Sequence, residues 1–404
     1  MSALGMIALA GAANSLQAQT VPNAERPVNP GMQVGPVAFT PAIRLSEFGH
    51  DSNVYNRDDD HNPVGDFTST LSPSVDAWFR FGRLRASGHS QADLYYYRSL
   101  PELRAADTDN VAEVDLVVNR VRLFVVGSHE NTQRRQNLEV DAIARRKTNE
   151  ASLGAEVRLS GKTSLVGSVQ RASLEYAQNS FYLGTDLAAA FNYTTTGERI
   201  GVRYSATRLT TIVVDVTRDR AKFDTSTIRN SDEVRIVPAV EFNPFALVTG
   251  HAAIAIFKRS FTNGTEPAVG TTALVDLSYV LLGRTRFTFG VNRRLEYSYL
   301  PGMQDYILEG ETLSVTQRLG ESWDLGGVFG TSRISYRELT LANGVLSPPI
   351  PDETVLSYEI DLGYKVGRAR VGFYFEHRQR TSDLAAPNRG YERVRTGSTV
   401  TYAF

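Results

Sequence analysis

The chain alternates between apolar and polar positions along most of its length. We call a set of alternate positions along a strand a parity. In segment 354–366, the apolar parity consists of Leu356, Tyr358, Ile360, Leu362, Tyr364 and Val366. Successive side chains of a β-strand point to opposite faces of a sheet, so this alternation predicts a strand with one apolar and one polar face. The same alternation recurs in segments 71–94 and 391–404. After residue 37, no segment long enough to be a helix shows a convincing 3.6-residue periodicity of apolar residues. The pattern therefore predicts an all-β fold.

Short turns separate many of these strands. A G-R-x-R pattern occurs at residues 82–85, 283–286 and 367–370, and Asn replaces Gly in the variant at 119–122. Gly and Asn tolerate the positive φ angles of two-residue hairpin turns. Weaker turn signals lie near residues 160–162, 207–210, 243–245 and 319–321. Between the short turns lie longer polar connections, at 51–65, 98–110, 131–147, 178–187, 224–230, 263–270, 300–305, 339–352 and 382–390.

Short turns that alternate with long loops are typical of a transmembrane antiparallel up-and-down β-barrel, with periplasmic turns and extracellular loops. These turns, with one strand added at each end of the chain, predict about 18 strands, or about 16 if one weak hairpin is miscounted. A soluble β-sandwich or barrel would show the same local alternation with its apolar face inside. Charged residues on the polar face favour the inverted arrangement, in which the apolar face contacts lipid. Pro41, Pro73 and Pro238 lie inside proposed strands, where we expect bulges to accommodate them.

Composition limits the alternatives further. The chain has no Cys, which excludes disulfides and thiolate chemistry, and a net charge of -1, which gives no basis for nucleic-acid binding. No apolar run is long enough for a transmembrane helix. Residues 1–18 are predicted to be a signal peptide, with a buried N-terminal helix as the alternative. Residues 19–37 contain four prolines and are predicted to be an extended periplasmic segment, which leaves 38–404 for the barrel.

The polar face supplies the candidate functional residues, because a barrel of this size leaves an aqueous channel. Rows of Arg opposite rows of carboxylates would set a transverse field, and inward aromatic side chains such as Tyr97 would stack on sugars. The alternative is that the charges only pair with each other and solvate the lumen. The pore-lining candidates are Asp76, Trp78, Arg80, Arg85, His89, Asp93, Tyr95, Glu113, Asp115, Arg122, Arg235, Glu359, Asp361, Arg370, Tyr374, Glu376, Arg393 and Arg395.

Other polar residues suggest further chemistry. Asp51, Asn53, Asp58, Asp59, Asp60 and Asp66 form an acidic stretch, but its spacing differs from that of calcium-binding loops, so we expect a solvated loop. His89 lies four residues from Asp93 on the same face, which would allow an imidazole–carboxylate pair, yet no nucleophile motif accompanies it. Arg293 falls on the apolar face, where lipopolysaccharide phosphates could bind it unless the register slips. The sequence predicts no catalytic site, metal site or cofactor.

Two motifs carry a family resemblance. Segment 41–45 followed by Phe48-Gly49-His50-Asp51-Ser52-Asn53-Val54-Tyr55 resembles the opening of the putative β-barrel porin 2 family. The ending on Tyr402 and Phe404 resembles the C-terminal signature of bacterial outer-membrane barrels, which the assembly machinery reads. The resemblance implies a bacterial outer-membrane barrel that meets periplasmic chaperones and lipopolysaccharide. It also implies a link to exopolysaccharide secretion, because many family members lie beside exopolysaccharide-synthesis genes.

These observations lead to one functional expectation with one alternative. The expected function is a non-enzymatic, porin-like channel for diffusion or export of polar, in particular saccharide, solutes. The alternative is a non-conducting scaffold or adhesin that acts through its extracellular loops. The solute, the oligomeric state and the openness of the lumen are not determined by the sequence.

Overall fold

A computed structural model describes residues 31–58, 61–300, 303–337, 350–383 and 389–404 as a closed antiparallel barrel of 18 strands. The first half contains β1 (Met32–Val34), β2 (Val37–Asp51), β3 (Asp66–Phe81), β4 (Leu84–Tyr97), β5 (Ala105–Val118), β6 (Val121–Thr132), β7 (Arg146–Arg158), β8 (Thr163–Tyr176), β9 (Phe181–Tyr182), β10 (Thr185–Asp186) and α1 (Leu187–Phe191). The second half contains β11 (Tyr193–Ser205), β12 (Thr210–Phe223), β13 (Ser231–Phe242), β14 (Val248–Phe261), β15 (Ala268–Leu281), β16 (Thr285–Tyr297), β17 (Asp305–Leu319), β18 (Trp323–Tyr336), β19 (Glu353–Val366), β20 (Ala369–Ser382) and β21 (Tyr391–Ala403). Among the described residues, no helix has the length and apolar character needed to cross a membrane.

The barrel consists of β2 to β8 and β11 to β21, each paired with its neighbours in chain order. The ring closes where β2 pairs with β21, as in the opposed residues Ile43 and Tyr402. The short strand β1 folds back on the start of β2, and β9 pairs with β10 inside one long connection. Closure gives every barrel strand two hydrogen-bonded neighbours, so the barrel presents no open sheet edge to lipid.

All of the predicted short turns are confirmed, and they lie at one end of the barrel. Gly82, Asn119 and Gly367 have φ angles of 59°, 55° and 56°, which explains why Gly or Asn occupies these turns. The predicted long connections are confirmed at the other end, although residues 59–60, 301–302, 338–349 and 384–388 within four of them lie outside the described residues. Short turns mark the periplasmic end of a barrel and long loops mark the extracellular end.

The barrel is apolar outside and polar inside. In β12, Val214 and Val216 are 44% and 42% exposed, whereas the intervening Asp215 and Thr217 are 8% and 3% exposed. A soluble fold would show the reverse, because it buries its apolar parity. The predicted inverted arrangement therefore describes this sheet, and we refer to the buried parity as inward and the exposed parity as outward.

Two strand prolines are accommodated without the predicted bulges. Pro73 lies opposite Ile43 in the β2–β3 ladder, but it has no partner across β3–β4, where the register is the same on both sides of the gap. Pro238 likewise pairs with Val214 of β12 and interrupts the β13–β14 ladder. Each strand loses pairing on one side only, so the expectation of bulges at these two prolines was wrong.

A register shift does occur in β2, between Leu45 and Phe48 opposite β21. Gly49 follows this shift and lies directly opposite Gly397 of β21. A Cβ at Gly49 would overlap the carbonyl oxygen of Thr396 and the Cα of Gly397. The seam that closes the barrel therefore needs glycine here, because the two backbones approach too closely for a side chain.

We expect Gly49→Ala to destabilise the closed barrel by about 3 kcal/mol, the upper end of overpacking costs in close-packed cores. The measurement is the fraction of heat-modifiable, fast-migrating protein in cold SDS gels after refolding into detergent. Gly161→Ala is the matched control, because a Cβ at Gly161 has no heavy atom within 4 Å. Equal folded fractions for the two variants would contradict a requirement for glycine at the seam.

Candidate functional site

The lumen is the candidate functional site, and all of the predicted pore-lining residues have the inward parity of their strands. Asp93, Glu113 and Asp115 are buried in the wall, whereas Arg122 and Asp76 are about one-third exposed to the lumen, at 37% and 38%. The inward set comprises Asp76, Trp78, Arg80, Arg85, His89, Asp93, Tyr95, Glu113, Asp115, Arg122, Arg235, Glu359, Asp361, Arg370, Tyr374, Glu376, Arg393 and Arg395.

Inward arginines pair with carboxylates on the same stretch of wall. Arg122 of β6 contacts Glu113 and lies 2.7 Å from Asp115, both on β5. Each of these pairs joins adjacent strands, so the charges neutralise each other locally rather than across the channel. The expectation of arginine rows facing carboxylate rows was wrong for these residues, and the alternative of local pairing describes them.

The same local pairing occurs on the wall formed by β18 to β21. Arg370 bridges Asp324 and Asp361, with a distance of 2.5 Å to Asp324. Arg395 contacts Glu376 and lies 2.7 Å from Glu47 of β2, so it ties together three strands around the barrel seam. Arg393 lies beside it and pairs with Asp51, with Nε 2.9 Å from Oδ1.

One section of the lumen keeps an excess of negative charge. The inward parity of β5 to β7 carries the carboxylates Asp107, Asp109, Glu113, Asp115, Glu130, Glu150 and Glu156, against the cations Arg122, Arg146 and Arg158. In the described residues, neither Asp109 nor Glu150 has an ion pair within 4 Å. The opposing section, on β15 to β17, has Thr, Ser, Asn or Gly at about half of its inward positions, and its inward charges nearly balance, so an acidic wall faces a nearly neutral one.

The predicted pair between His89 and Asp93 does not form. The Nδ1 atom of His89 lies 2.7 Å from Asp76, its direct cross-strand neighbour on β3. Asp93 accepts a hydrogen bond of 2.5 Å from Ser72 and pairs with Arg134. The imidazole is therefore engaged by Asp76, and the prediction of an Asp93 partner was wrong.

Arg235 belongs to a separate charged group near the extracellular end. It contacts Glu233, which is also held by Arg259 at 2.6 Å. These residues, with Asp219 and Tyr297, line a cavity of about 30 Å³, enough for a single water molecule. The group is therefore packed rather than open to the channel.

The predicted inward aromatic residues belong to strands on one side of the barrel. Trp78, Tyr95, Tyr97 and Tyr374 lie on strands β3, β4 and β20. The ring of Tyr95 is covered by Arg134, whose guanidinium lies 5.1 Å from the ring centroid. Trp78 and Tyr374 are half-buried in the lumen wall, which leaves part of each side chain accessible.

The connection between β6 and β7, residues 133–145, folds into the barrel and crosses the lumen. Its Leu138 packs against Tyr306, Leu308 and Ile334 on β17 and β18, which lie on the far side of the ring. The backbone carbonyl of Leu138 also accepts a hydrogen bond of 2.7 Å from Arg380 of β20. We call residues 133–145 the crossing loop, because it joins opposite walls of the barrel.

Glu139 anchors the crossing loop and is fully buried. Its carboxylate accepts hydrogen bonds from the Ser298 hydroxyl, at 2.6 Å, and from the Tyr299 backbone N–H, at 3.1 Å. Arg389 donates to the Glu139 backbone carbonyl at 2.5 Å and also lies near its side chain. Burial outweighs these contacts and raises the pKa of Glu139 to about 7, from an ordinary value of 4.5.

Aromatic residues from two further connections pack around the crossing loop. Tyr182, between β8 and β11, meets Tyr299, between β16 and β17, edge to face with 5.1 Å between ring centroids. The guanidinium of Arg389 lies within 6 Å of both rings, at 5.9 and 5.6 Å. The larger apolar cluster includes Val140 of the crossing loop and wall residues such as Phe223, and it closes much of one side of the extracellular mouth.

The acidic stretch after β2 is packed into the mouth rather than solvated. Asp51 is bound by Arg393, Asn53 is fully buried, and Asp66 accepts hydrogen bonds from the backbone of Ser99 and Leu100. The expectation of a solvated loop was wrong for these residues, because they hold neighbouring chain segments. Asp58 contacts the ring of His61 at 2.6 Å, whereas Asp59 and Asp60 lie outside the described residues.

The sequence reasoning missed the crossing loop. A signal was present, because Leu138, Val140 and Ile143 concentrate apolar side chains in a connection that was predicted to be a polar extracellular loop. Apolar residues clustered in a loop indicate that the loop packs against something. The identity of the opposite wall, however, depends on contacts across the barrel that strand periodicity does not specify.

Two predicted membrane-facing features lie on the outward parity. Arg293 of β16 forms an ion pair with Glu309 of β17 and donates to the Thr271 carbonyl at 3.0 Å. Its charge is therefore neutralised on the protein surface. Tyr402 contacts Phe404 edge to face, with 4.9 Å between ring centroids, at the periplasmic end.

The chain is similar to several solved outer-membrane proteins, at low sequence identity and with TM-scores below 0.5. OpdO of Pseudomonas aeruginosa is 12% identical with a TM-score of 0.48, covering 91% of this chain and 97% of OpdO. OpdK of Pseudomonas aeruginosa is 10% identical with a TM-score of 0.47, covering 91% of this chain and 98% of OpdK. The FrpB iron transporter from Neisseria meningitidis (F3-3 variant) is 11% identical with a TM-score of 0.43; the match covers 85% of this chain and spans only 62% of FrpB.

A comparison with curated proteins finds no match to the chain. The family model for putative beta-barrel porin 2, in contrast, matches residues 26–404. The match includes every described strand of the barrel, both ends of the closing seam and the crossing loop. The chain therefore belongs to the putative beta-barrel porin 2 family and is a porin-like barrel of the bacterial outer membrane.

Proposed function

We propose that the protein is a non-enzymatic outer-membrane channel for polar solutes, gated by the crossing loop. The observation that carries this proposal is the combination of a charged, partly solvent-accessible inward face with a loop that spans the lumen. Charged groups on the inward face need water or partners, and many of them remain partly exposed below the loop. A lumen of this kind suits solutes that carry hydroxyl groups or charge.

Saccharides are the solute class that best matches the wall. The section formed by β15 to β17 offers hydroxyl and amide groups, which suit the hydroxyls of a sugar. Trp78 and Tyr374 are accessible enough to stack on sugar rings. Diffusion of small saccharides or export linked to exopolysaccharide secretion are both compatible with this wall, and the family resemblance favours the secretion link.

The excess of carboxylates on β5 to β7 gives a preference among charged solutes. Fixed negative charge at a narrow part of a pore attracts cations and repels anions. Because Asp109 and Glu150 have no ion pair within the described residues, their charges act on passing ions. We propose that small cations pass more readily than anions of the same size.

A second function is favoured by one observation, the packing of the extracellular mouth. The crossing loop, the Tyr182–Tyr299 contact and Arg389 together close much of the opening. If this packing never opens, the protein is a non-conducting scaffold or adhesin whose loops bind partners at the cell surface. Conductance distinguishes the two functions.

In planar lipid bilayers we expect the wild-type protein to give discrete current steps. Replacing residues 136–142 with a shorter Gly-Ser linker should increase the step size several-fold, because the linker cannot reach the opposite wall. Replacing residues 263–266, in the exposed connection between β14 and β15, is the matched control and should leave the steps unchanged. Absence of steps in all three proteins would favour the scaffold function. If steps occur, liposome swelling with graded sugars will give the size limit of the channel.

The pKa of Glu139 leads to a pH dependence of gating. Its pKa in the seated loop, about 7, lies above the ordinary value of 4.5, so the seated loop holds the proton more tightly than the released loop does. Seating is therefore strongest below pH 4.5 and weakens as the pH rises towards 7, by up to about tenfold per pH unit for a single proton. Open probability should rise over this range and level off above it.

Glu139→Gln should abolish this pH dependence, because an amide keeps the neutral form at every pH. Glu102→Gln is the control, since Glu102 is an exposed loop carboxylate at the same end of the barrel. Single-channel recordings between pH 4.5 and 9 provide the measurement. A pH profile that is unchanged in Glu139→Gln would show that another group controls seating.

Cation preference can be measured from the reversal potential in a KCl gradient. We expect the wild-type channel to favour K⁺ over Cl⁻. The double variant Asp109→Asn, Glu150→Gln should have a reversal potential several-fold smaller in magnitude, because the unpaired lumenal charge is gone. Glu175→Gln removes a carboxylate from the outward face and should leave the potential as it was. Anion preference in the wild-type protein would refute the role of the acidic wall.

A further inference from the structure

The outward face of β8, β11 and β12 changes abruptly from apolar to basic. Towards the periplasmic end it exposes Val169, Ile200 and Val216, at 55%, 57% and 42%. The next outward positions towards the extracellular end carry Arg171 on β8, Glu198 on β11 and Arg218 on β12, and Arg220 follows on β12. Because long loops mark the extracellular side, this change occurs where acyl chains of the outer leaflet give way to headgroups.

The strand register places three cations around one short floor. Arg171 lies directly opposite Thr196 of β11, and Thr196 lies directly opposite Arg220 of β12. Lys222, two positions beyond Arg220 on the same face, lies opposite Thr194. Neighbouring strands are about 4.8 Å apart, so Arg171 and Arg220 flank the short Thr196 side chain with roughly 10 Å between their backbones. We call Arg171, Arg220 and Lys222 the basic triad.

The triad is only partly neutralised by the protein. Its neighbour Arg218 is bound by Asp232 through a two-pronged ion pair, with distances of 3.0 and 2.6 Å. Arg220, in contrast, has only longer contacts, 3.4 Å to Glu198 and 3.7 Å to Asp232. Neither Arg171 nor Lys222 has an ion pair within 4 Å among the residues that the structure describes. The exposed triad therefore presents positive charge outward, with hydroxyl groups of threonine between the cations.

The position and charge of the triad identify its occupant. Exposed arginines on the lipid face are unfavourable unless they lie at an interface and meet anionic groups. Guanidinium groups bind phosphate through paired hydrogen bonds, and an ammonium group adds a point charge. The apolar surface directly below the triad would contact acyl chains of the same molecule. This combination of an exposed basic cluster above an apolar face fits a phosphorylated, acylated glycolipid.

We propose that the basic triad on β8 and β12 binds a phosphate group of lipid A, the phosphorylated glycolipid anchor of lipopolysaccharide. Arg171 and Arg220 hold the phosphate oxygens from either side of Thr196, and Lys222 contacts it from the extracellular side. Arg218 stays paired with Asp232 and borders the site. This binding fixes one face of the barrel in the outer leaflet and does not depend on conduction through the lumen.

The test compares binding of purified bisphosphorylated lipid A to refolded proteins by native mass spectrometry in detergent. The triple variant Arg171→Gln, Arg220→Gln, Lys222→Gln should bind lipid A at least about tenfold more weakly than the wild-type protein, since each lost contact is a hydrogen bond to a charged group. Wild-type protein should show a comparable loss with enzymatically dephosphorylated lipid A. Arg293→Gln is the matched control, because Arg293 is an outward arginine already paired with Glu309, and it should bind as wild type does.

Folding of each variant is checked by heat-modifiable migration in cold SDS gels, so that a loss of binding is measured on closed barrels. If the triple variant folds poorly, the single variant Lys222→Gln in low and high salt provides the same comparison. Unchanged binding by the folded variants would overturn the proposal. Equal binding of dephosphorylated lipid A, or equal competition by phosphatidylglycerol or by an acidic polysaccharide, would also overturn it.

Discussion

The structure depends on satisfying the backbone hydrogen bonds of a sheet that has lipid on one side. Hydrocarbon offers no partner to a free N–H or C=O, so every strand must have a neighbour on both sides. The pairing of β2 with β21 completes this ring, and it does so at a point where β2 changes register and two glycines oppose each other. The seam restricts the choice of residue at this point, because a side chain on one strand would overlap the backbone of the other.

Closure also determines the chemistry of the interior. Once the apolar parity faces lipid, the remaining parity must carry most of the polar side chains, and charged side chains there must find partners in a narrow space. Arg122, Arg370 and Arg395 show how this is solved, since each binds carboxylates on the next strand or two. The wall that keeps unpaired carboxylates lies on β5 to β7. The crossing loop starts from the end of these same strands, so the residual charge and the constriction belong to one side of the barrel.

Periodicity and turn chemistry were sufficient to predict the barrel, its strand number and the side on which each predicted lumenal residue lies. They also contained the partner of His89, because a two-residue turn at Gly82 and Arg83 places residue 76 opposite residue 89. Asp93 is nearer to His89 in sequence, but distance along the chain does not determine pairing between strands. The crossing loop could not be predicted in the same way. Alternation specifies the face of a residue, whereas the contact of Leu138 with Tyr306 joins strands on opposite sides of a ring.

The anchoring of Glu139 has a consequence for biogenesis. Ser298 lies 159 residues further along the chain and Arg389 lies 250 residues further, so these partners of Glu139 come from the second half of the barrel. Until those segments join the ring, Glu139 lacks these partners, although the loop already contacts earlier residues, as in the hydrogen bond from Asn56 to Asp141. In a half-built barrel the Glu139 anchor is therefore incomplete, and full seating of the crossing loop reports that the later strands have arrived.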